Sequence, residues 1–133
     1  TKVFQALRIF VNKEITELIE GLIIATKILK EDGKIVVVTF HSLEDKIVKF
    51  LFTNFSSNKS KTSRYYPESE DKKILFKNYK NKVIKPDPEE VQENNPSRSA
   101  KLRYAIRSNH DFTYPEDLKN KFLHYLELEK INV

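Results

Sequence analysis

The apolar residues at the start of the chain, Phe4, Leu7, Val11, Ile15, Leu18, Leu22, Ala25 and Leu29, recur at steps of three and four, the period of a helix with one continuous apolar stripe. Gly33 follows as a stop, with Lys27 and Lys30 near the helix's negative end. The pattern predicts one long helix from Val3 to Lys30. It then changes abruptly. Ile35 to Phe40, IVVVTF, is β-branched or aromatic throughout and shows no polar alternation. Such a run marks a strand covered on both faces, as in the parallel sheet of an α/β domain. These sheets place their chemistry beyond the carboxyl ends of their strands, where this chain has His41, Ser42, Glu44 and Asp45.

Past the strand, Ser42 and Asp45 have the spacing of a capping box, and Leu43, Ile47, Phe50 and Leu51 give a short amphipathic helix. Asn54 to Asp71 is rich in Ser, Lys and Asn and has no period, so it reads as a mobile surface loop. Lys73 to Tyr79 and Val83 to Lys85 are short β-prone runs, and Pro86-Asp87-Pro88 breaks the chain before one helical turn at Glu89 to Glu93. Lys101 to Arg107 alternates Leu102, Tyr104 and Ile106 with Lys101, Arg103, Ala105 and Arg107, which predicts a strand with the first set buried and the second forming a basic face. Thr113 can cap a last helix from Pro115, with Leu118, Phe122, Tyr125 and Leu126 turned inward. A strand buried on both faces also needs a partner on each edge, because its peptide groups must be bonded. The later strands are too few, so one edge of Ile35 to Phe40 is expected to lack its neighbour unless a further segment or a second copy supplies it.

The chain has 133 residues, suited to one domain, and no cysteine, which removes disulfides and thiolate metal sites; three separated His leave a zinc site without ligands. No apolar run approaches the roughly 20 residues that span a bilayer, and no signal-peptide pattern opens the chain, so a soluble cytoplasmic protein is expected. Thr1 opens a sequence without Met, so the chain is expected to be a piece of something longer. A net charge of +5 favours an anionic partner, nucleic acid above all.

Candidate chemistry gathers in three places. Gln5, Arg8 and Asn12 form a polar stripe of multi-donor side chains on the first helix, suited to phosphates or base edges, though a plain solvent face has the same spacing. At the strand's end, Ser42 and Asp45 are accounted for by helix capping. His41 has no helix-start role in the sequence and is the candidate to donate to a substrate or exchange a proton near neutral pH. Adjacent residues on one turn do not make a nucleophilic triad, and no G-x-S-x-G elbow is present. In Asn95 to Arg103, NPSRSAKLR, the residues Arg98, Lys101 and Arg103 are candidates for phosphate contact with Ser97 and Ser99 beside them, against the plain reading of a charged strand face. Tyr65, Tyr66 and Tyr79 lie near basic residues and can stack on unpaired bases. Gly21 and Gly33 are isolated, so there is no Gly-rich phosphate loop.

Three of these segments, KVFQALRIFVNKEI at Lys2 to Ile15, TFHSLEDKIVK at Thr39 to Lys49 and NPSRSAKLR at Asn95 to Arg103, closely resemble, in this order, the C-terminal half of the RsmH/MraW family. Members are S-adenosylmethionine-dependent methyltransferases that modify N4 of a cytosine in the decoding region of small-subunit (16S-type) rRNA. Lys46 stands where members often have Arg, and Asp32-Gly33 where they often have Gly-Gly.

The resemblance implies a partial class I, Rossmann-like methyltransferase sheet. It would be the C-terminal portion, with one parallel strand at Ile35 to Phe40, a terminal antiparallel hairpin and flanking helices. Residues 1–107 would belong to the methyltransferase domain and 108–133 to a helical extension. It implies rRNA or the small ribosomal subunit as partner, with Gln5, Arg8, Asn12, Ser42, Arg98, Lys101 and Arg103 toward RNA and His41 toward the reacting base. In the family the cofactor is held mainly by the N-terminal half, through a GGHS-type turn with no counterpart here. The chain alone is therefore expected to bind S-adenosylmethionine poorly or not at all, and to need a cofactor-binding half or a second copy. The competing expectation is a non-catalytic RNA-binding or assembly module, or a split-gene remnant.

Overall fold

A computed structural model describes residues 3, 4, 7, 13–56 and 74–131. The chain is α/β, and among the described residues the helices named here are α1 (Glu14–Ile28), α2 (Ser42–Asn54), α3 (Pro88–Glu93), α4 (Glu116–Lys121) and α5 (Leu123–Glu129). Two strands, β1 (Lys34–Thr39) and β2 (Lys101–Ile106), pair antiparallel with Lys34 opposite Ile106 and Thr39 opposite Lys101. The other edge of β2 meets Ile84 and, beyond the strand's end, Arg107 meets Phe76, both as isolated antiparallel bridges. The expected hairpin is thus reduced to single bridges. Among the described residues β1 has no parallel partner, and its outer edge has none of either sense.

The long helix expected from Val3 to Lys30 does not run through Lys13. That residue adopts φ 54 and ψ 38, a left-handed conformation costing a non-glycine residue about 1–2 kcal/mol, and α1 begins after it. No side chain at Lys13 caps the helix. Instead Glu129, from the far end of the chain, accepts from the N–H groups of Ile15 (3.1 Å) and Thr16 (2.8 Å) and from the Thr16 hydroxyl (2.7 Å). At the other end of α1 the left-handed residue is Asp32 (φ 67), not Gly33. Gly33 is required for space: a Cβ there would lie 2.9 Å from Leu29 Cδ2 and 2.9 Å from the Lys30 carbonyl oxygen.

The core joins Ile15, Ile19, Leu22 and Ile23 of α1 to Ile47, Val48, Leu51 and Phe52 of α2, with Ile35 and Ala105 from the sheet and Leu75 and Phe76 beside it. Leu118, Phe122 and Leu126 of α4, α5 and their junction belong to the same core, and Phe122 meets Phe50 edge-on at 5.8 Å. Tyr125 is exposed, and the buried Thr113 hydroxyl has no hydrogen-bond partner, so neither does what the sequence suggested. Pro115 occupies the position before α4.

Both strands present their faces differently from the sequence reading. In β1, Ile35 and Thr39 are buried, whereas Val36, Val38 and Phe40 are 56%, 49% and 52% exposed, so the strand is covered on one face only. The described helices lie on one face, and α2 packs on that face of both strands. In β2 the expected polarity is inverted. Arg103, Ala105 and Arg107 face the core, and Tyr104 is exposed. The inversion is possible because each guanidinium finds internal acceptors, which removes the usual penalty for burying a cation. Arg107 donates to the carbonyls of Thr26, Leu75 and Ser108, stapling α1 to the strand's end.

Candidate functional site at the carboxyl end of β1

Because Thr39 pairs with Lys101, the turn that leaves β1 and the chain that enters β2 lie at the same end of the sheet. His41 and Ser42 occupy the first, and Arg98 and Lys101 occupy the second.

His41 is itself the N-cap of α2, contrary to its having no helix-start role, and Ser42 is merely the first, exposed helical residue. The His41 backbone is extended (φ −139, ψ 162), its carbonyl accepts from the Asp45 N–H at 3.2 Å, and Nδ1 accepts from the Glu44 N–H at 3.4 Å. An accepting Nδ1 places the neutral ring's hydrogen on Nε2. That atom is buried, 2.9 Å from Glu44 Oε1 and 3.9 Å from Glu14 Oε2, without the alignment of a hydrogen bond. Glu44 Oε1 also accepts from the Phe40 N–H at 3.4 Å. The imidazole, with its side chain 6% exposed, is thus held with Nδ1 on the Glu44 N–H and Nε2 facing the Glu44 and Glu14 carboxylates.

Asp45 is not a cap. Its carboxylate takes a bidentate fork from Arg103, Nε to Oδ1 at 2.7 Å and Nη2 to Oδ2 at 3.0 Å. Nη1 of the same guanidinium donates to the Tyr79 hydroxyl (2.8 Å) and to Asn81 Oδ1 (3.0 Å). The hydrogen bonds from Arg103, opposed by burial and aided by its charge and that of Lys101, hold the Asp45 carboxyl below the usual aspartate range. The same bonds raise the already high Arg103 value. Lys101 Nζ lies 3.9 Å from Asp45 Oδ2 on the open side.

Arg103 therefore does not project from a basic face, and Tyr79, buried against Phe52, is not a platform for a base. Ser97 is also buried, donating to the Asn94 carbonyl at 2.7 Å. Arg98 and Ser99 are exposed on the short 3-10 turn Asn95–Ser99, and Lys101 is half-buried. Gln5, Arg8 and Asn12, residues 57–71 of the loop expected over Asn54 to Asp71, and with them Tyr65 and Tyr66, lie outside the described residues, and Asn54 itself ends α2. The sequence reading missed the Arg103 fork and the Glu129 cap. Arg103 lies 58 residues from Asp45 and Glu129 lies 114 residues from Ile15, separations that no local spacing reveals.

Neither glycine opens a cradle for a cofactor. The space beside Gly33 is filled by Leu29 and the Lys30 carbonyl, and Gly21 meets nothing within 4 Å. No cluster of three metal-ligating side chains occurs among the described residues, and no helix among them is long and apolar enough to cross a membrane.

This is an α/β chain whose polar residues gather where β1 ends and β2 begins. The match to known proteins makes this specific: the model of the MraW methylase family covers residues 1–108, and the chain belongs to that family. The "Ribosomal RNA small subunit methyltransferase H" of Agrobacterium fabrum is 49% identical over 108 residues, covering 81% of this chain and 31% of that protein. Its namesake in Xanthobacter autotrophicus is 47% identical over 112 residues (82% and 31%), and that of Bartonella bacilliformis 49% over 115 residues (84% and 33%). The chain spans about a third of the length of these curated relatives.

Proposed function

We propose that this chain is the C-terminal, substrate-facing portion of an S-adenosylmethionine-dependent methyltransferase acting on N4 of a cytosine in small-subunit rRNA, in the cytoplasm. The observation that carries the reading is the joining, at one end of the β1–β2 ladder, of the fixed His41–Glu44 turn with Arg98 and Lys101, in a chain of the MraW methylase family. Cytosine N4 is a poor nucleophile because its lone pair is delocalised into the ring. A site must hold the amine in one orientation and give its proton a destination. His41 is assigned to the base or its phosphate, and Arg98 and Lys101 to the RNA backbone. Gln5, Arg8, Asn12 and Ser42 are assigned to the same RNA-facing side.

The open edge of β1 and the exposed Val36, Val38, Phe40 and Tyr104 suit continuation of the sheet and a second covering layer. In this reading the cofactor-binding part of the enzyme supplies both.

The test is titration of a small-subunit rRNA fragment into the chain at several salt concentrations, beside titration of S-adenosylmethionine. Salt-dependent RNA binding is expected, and Arg98→Ala or Lys101→Ala should each reduce the slope of log K against log salt by about 0.7, the share of one neutralised phosphate. Salt-independent or absent binding refutes the RNA-facing role. Cofactor binding by the chain alone refutes the placement of its site elsewhere. In the intact enzyme, unchanged methylation by His41→Ala refutes the assignment of His41.

A further inference from the structure

We propose that Arg103 is a positioning residue for the His41 imidazole, acting through Asp45, and not a contact to RNA; what is being positioned rests on the methyltransferase reading above. The chain of contacts is short. Two atoms of His41 are held by the first turn of α2: its carbonyl oxygen by the Asp45 N–H and its Nδ1 by the Glu44 N–H. That turn is held in its place by the Asp45 carboxylate, both oxygens of which are taken by the Arg103 fork. Arg103 sits on β2, opposite Val37, and its remaining bonds to Tyr79 and Asn81 fix the guanidinium from the far side. Asn81 has φ 50, so the chain adopts a left-handed residue at the point where it meets the fork.

Packing alone does not account for this arrangement. A buried ion pair roughly breaks even against apolar side chains of equal volume, because both charges lose their water. What an apolar replacement cannot supply is direction. A planar fork on a carboxylate fixes the rotation of the first turn of α2 about its axis as well as its distance from the strand. The orientation of His41 follows from that rotation, since the ring is bonded to the same turn.

The test uses the full chain, comparing wild type with Arg103→Lys, which keeps the charge but not the fork. Long-range nitrogen–proton NMR spectra report which ring nitrogen of His41 carries hydrogen, and amide exchange reports the first turn of α2. In the folded Arg103→Lys chain the fixed His41 tautomer should give way to an averaged signal. Exchange at the Glu44 and Asp45 amides should rise about tenfold or more, with the ladder amides of Ile35 and Val37 little changed. Unchanged His41 and Glu44 signals overturn the proposal, as does a uniform rise at all four amides, which would make the pair a general support of the fold. Should Arg103→Lys fail to fold, Asp45→Asn, which keeps the shape and one acceptor oxygen, is read against the same outcomes. RNA titration then separates the two claims. In Arg103→Gln, which removes the charge, an unchanged salt slope is expected, and a slope lowered by about 0.7 makes Arg103 a phosphate contact and overturns the proposal. Wild-type chain that ignores RNA refutes the substrate reading, while the NMR comparison still decides the positioning.

Discussion

Replacing Glu129 should be among the most destabilising single changes to a polar side chain in this molecule, although the residue lies in the last helix, outside the family match. Its carboxylate satisfies three donors at the start of α1: the Ile15 and Thr16 amides and the Thr16 hydroxyl. Lys13, in the capping position, offers nothing in its place. A hydrogen bond to a carboxylate contributes about 1.5–3 kcal/mol, and losing an N-cap side chain costs about 0.5–2 kcal/mol. The three bonds share one acceptor group and water can enter on truncation, so their sum is an overestimate. We expect Glu129→Ala to cost about 3 kcal/mol and to lower Tm by roughly 10 °C in a chain of this size. Glu129→Gln should fall between, since the amide keeps one acceptor oxygen but turns an NH2 toward a donor. Guanidinium unfolding followed by circular dichroism measures the difference, with the exposed neighbour Glu127→Ala as the control, expected within about 0.5 kcal/mol of wild type. If Glu129→Ala and Glu127→Ala unfold at the same midpoint, the cap supplied by the tail contributes nothing and the account of how α1 begins is wrong.

A chain ending at Ser108, where the family match stops, should fail to fold cooperatively. It loses Leu118, Phe122 and Leu126 from the core as well as Glu129, and three such side chains at about 1.5–3 kcal/mol each approach the whole stability of a small domain; a sharp thermal transition in the truncated chain would contradict this. Gly33→Ala should destabilise by about 1–3 kcal/mol because its methyl meets the Lys30 carbonyl, which cannot yield as a side chain would, and a neutral result in urea unfolding would show that the turn relaxes. Acid should weaken the fold through Asp45. Its carboxyl is held below the usual range in the folded chain, so its contribution is complete above the unfolded value of about 3.9 and is lost as pH falls through the lower folded value. Stability measured from pH 6 downward should therefore fall less steeply below about pH 4 in Asp45→Asn than in wild type, and parallel curves would refute the linkage.

The parts of this fold that were legible in the sequence are those where a local period decides. The stripe from Ile15 to Leu29 gave α1, the apolar run gave β1, and Asp87-Pro88 gave α3, with the Asp87 side chain accepting from the Glu90 N–H at 2.8 Å. Reading failed where the outcome depends on a distant partner. The stripe itself carries no hint of a break at Lys13, because the break is paired with a carboxylate 114 residues from Ile15. An unbroken apolar run also says that a strand can be covered on both faces, not that the same chain supplies both covers. The exposed Val36, Val38 and Phe40 show the difference.

The polarity of β2 is the most instructive error, because it bears on the site. Read by hydropathy, Leu102, Tyr104 and Ile106 belong inside and the arginines outside, yet the ladder's parity puts Arg103 across from Val37 and against α2. An arginine's side of a strand is decided by where its donors find acceptors, and Asp45, Tyr79 and Asn81 provide them for Arg103 as the Thr26, Leu75 and Ser108 carbonyls do for Arg107. Net charge therefore overstates the basic surface: of the three cations singled out near the start of β2, Arg98 is exposed, Lys101 is half-buried and Arg103 is internal. Of those three, Arg98 and Lys101 are the ones an RNA-facing role at this end of the sheet can use, beside the His41 turn. Arg103 would matter to it by holding that turn still.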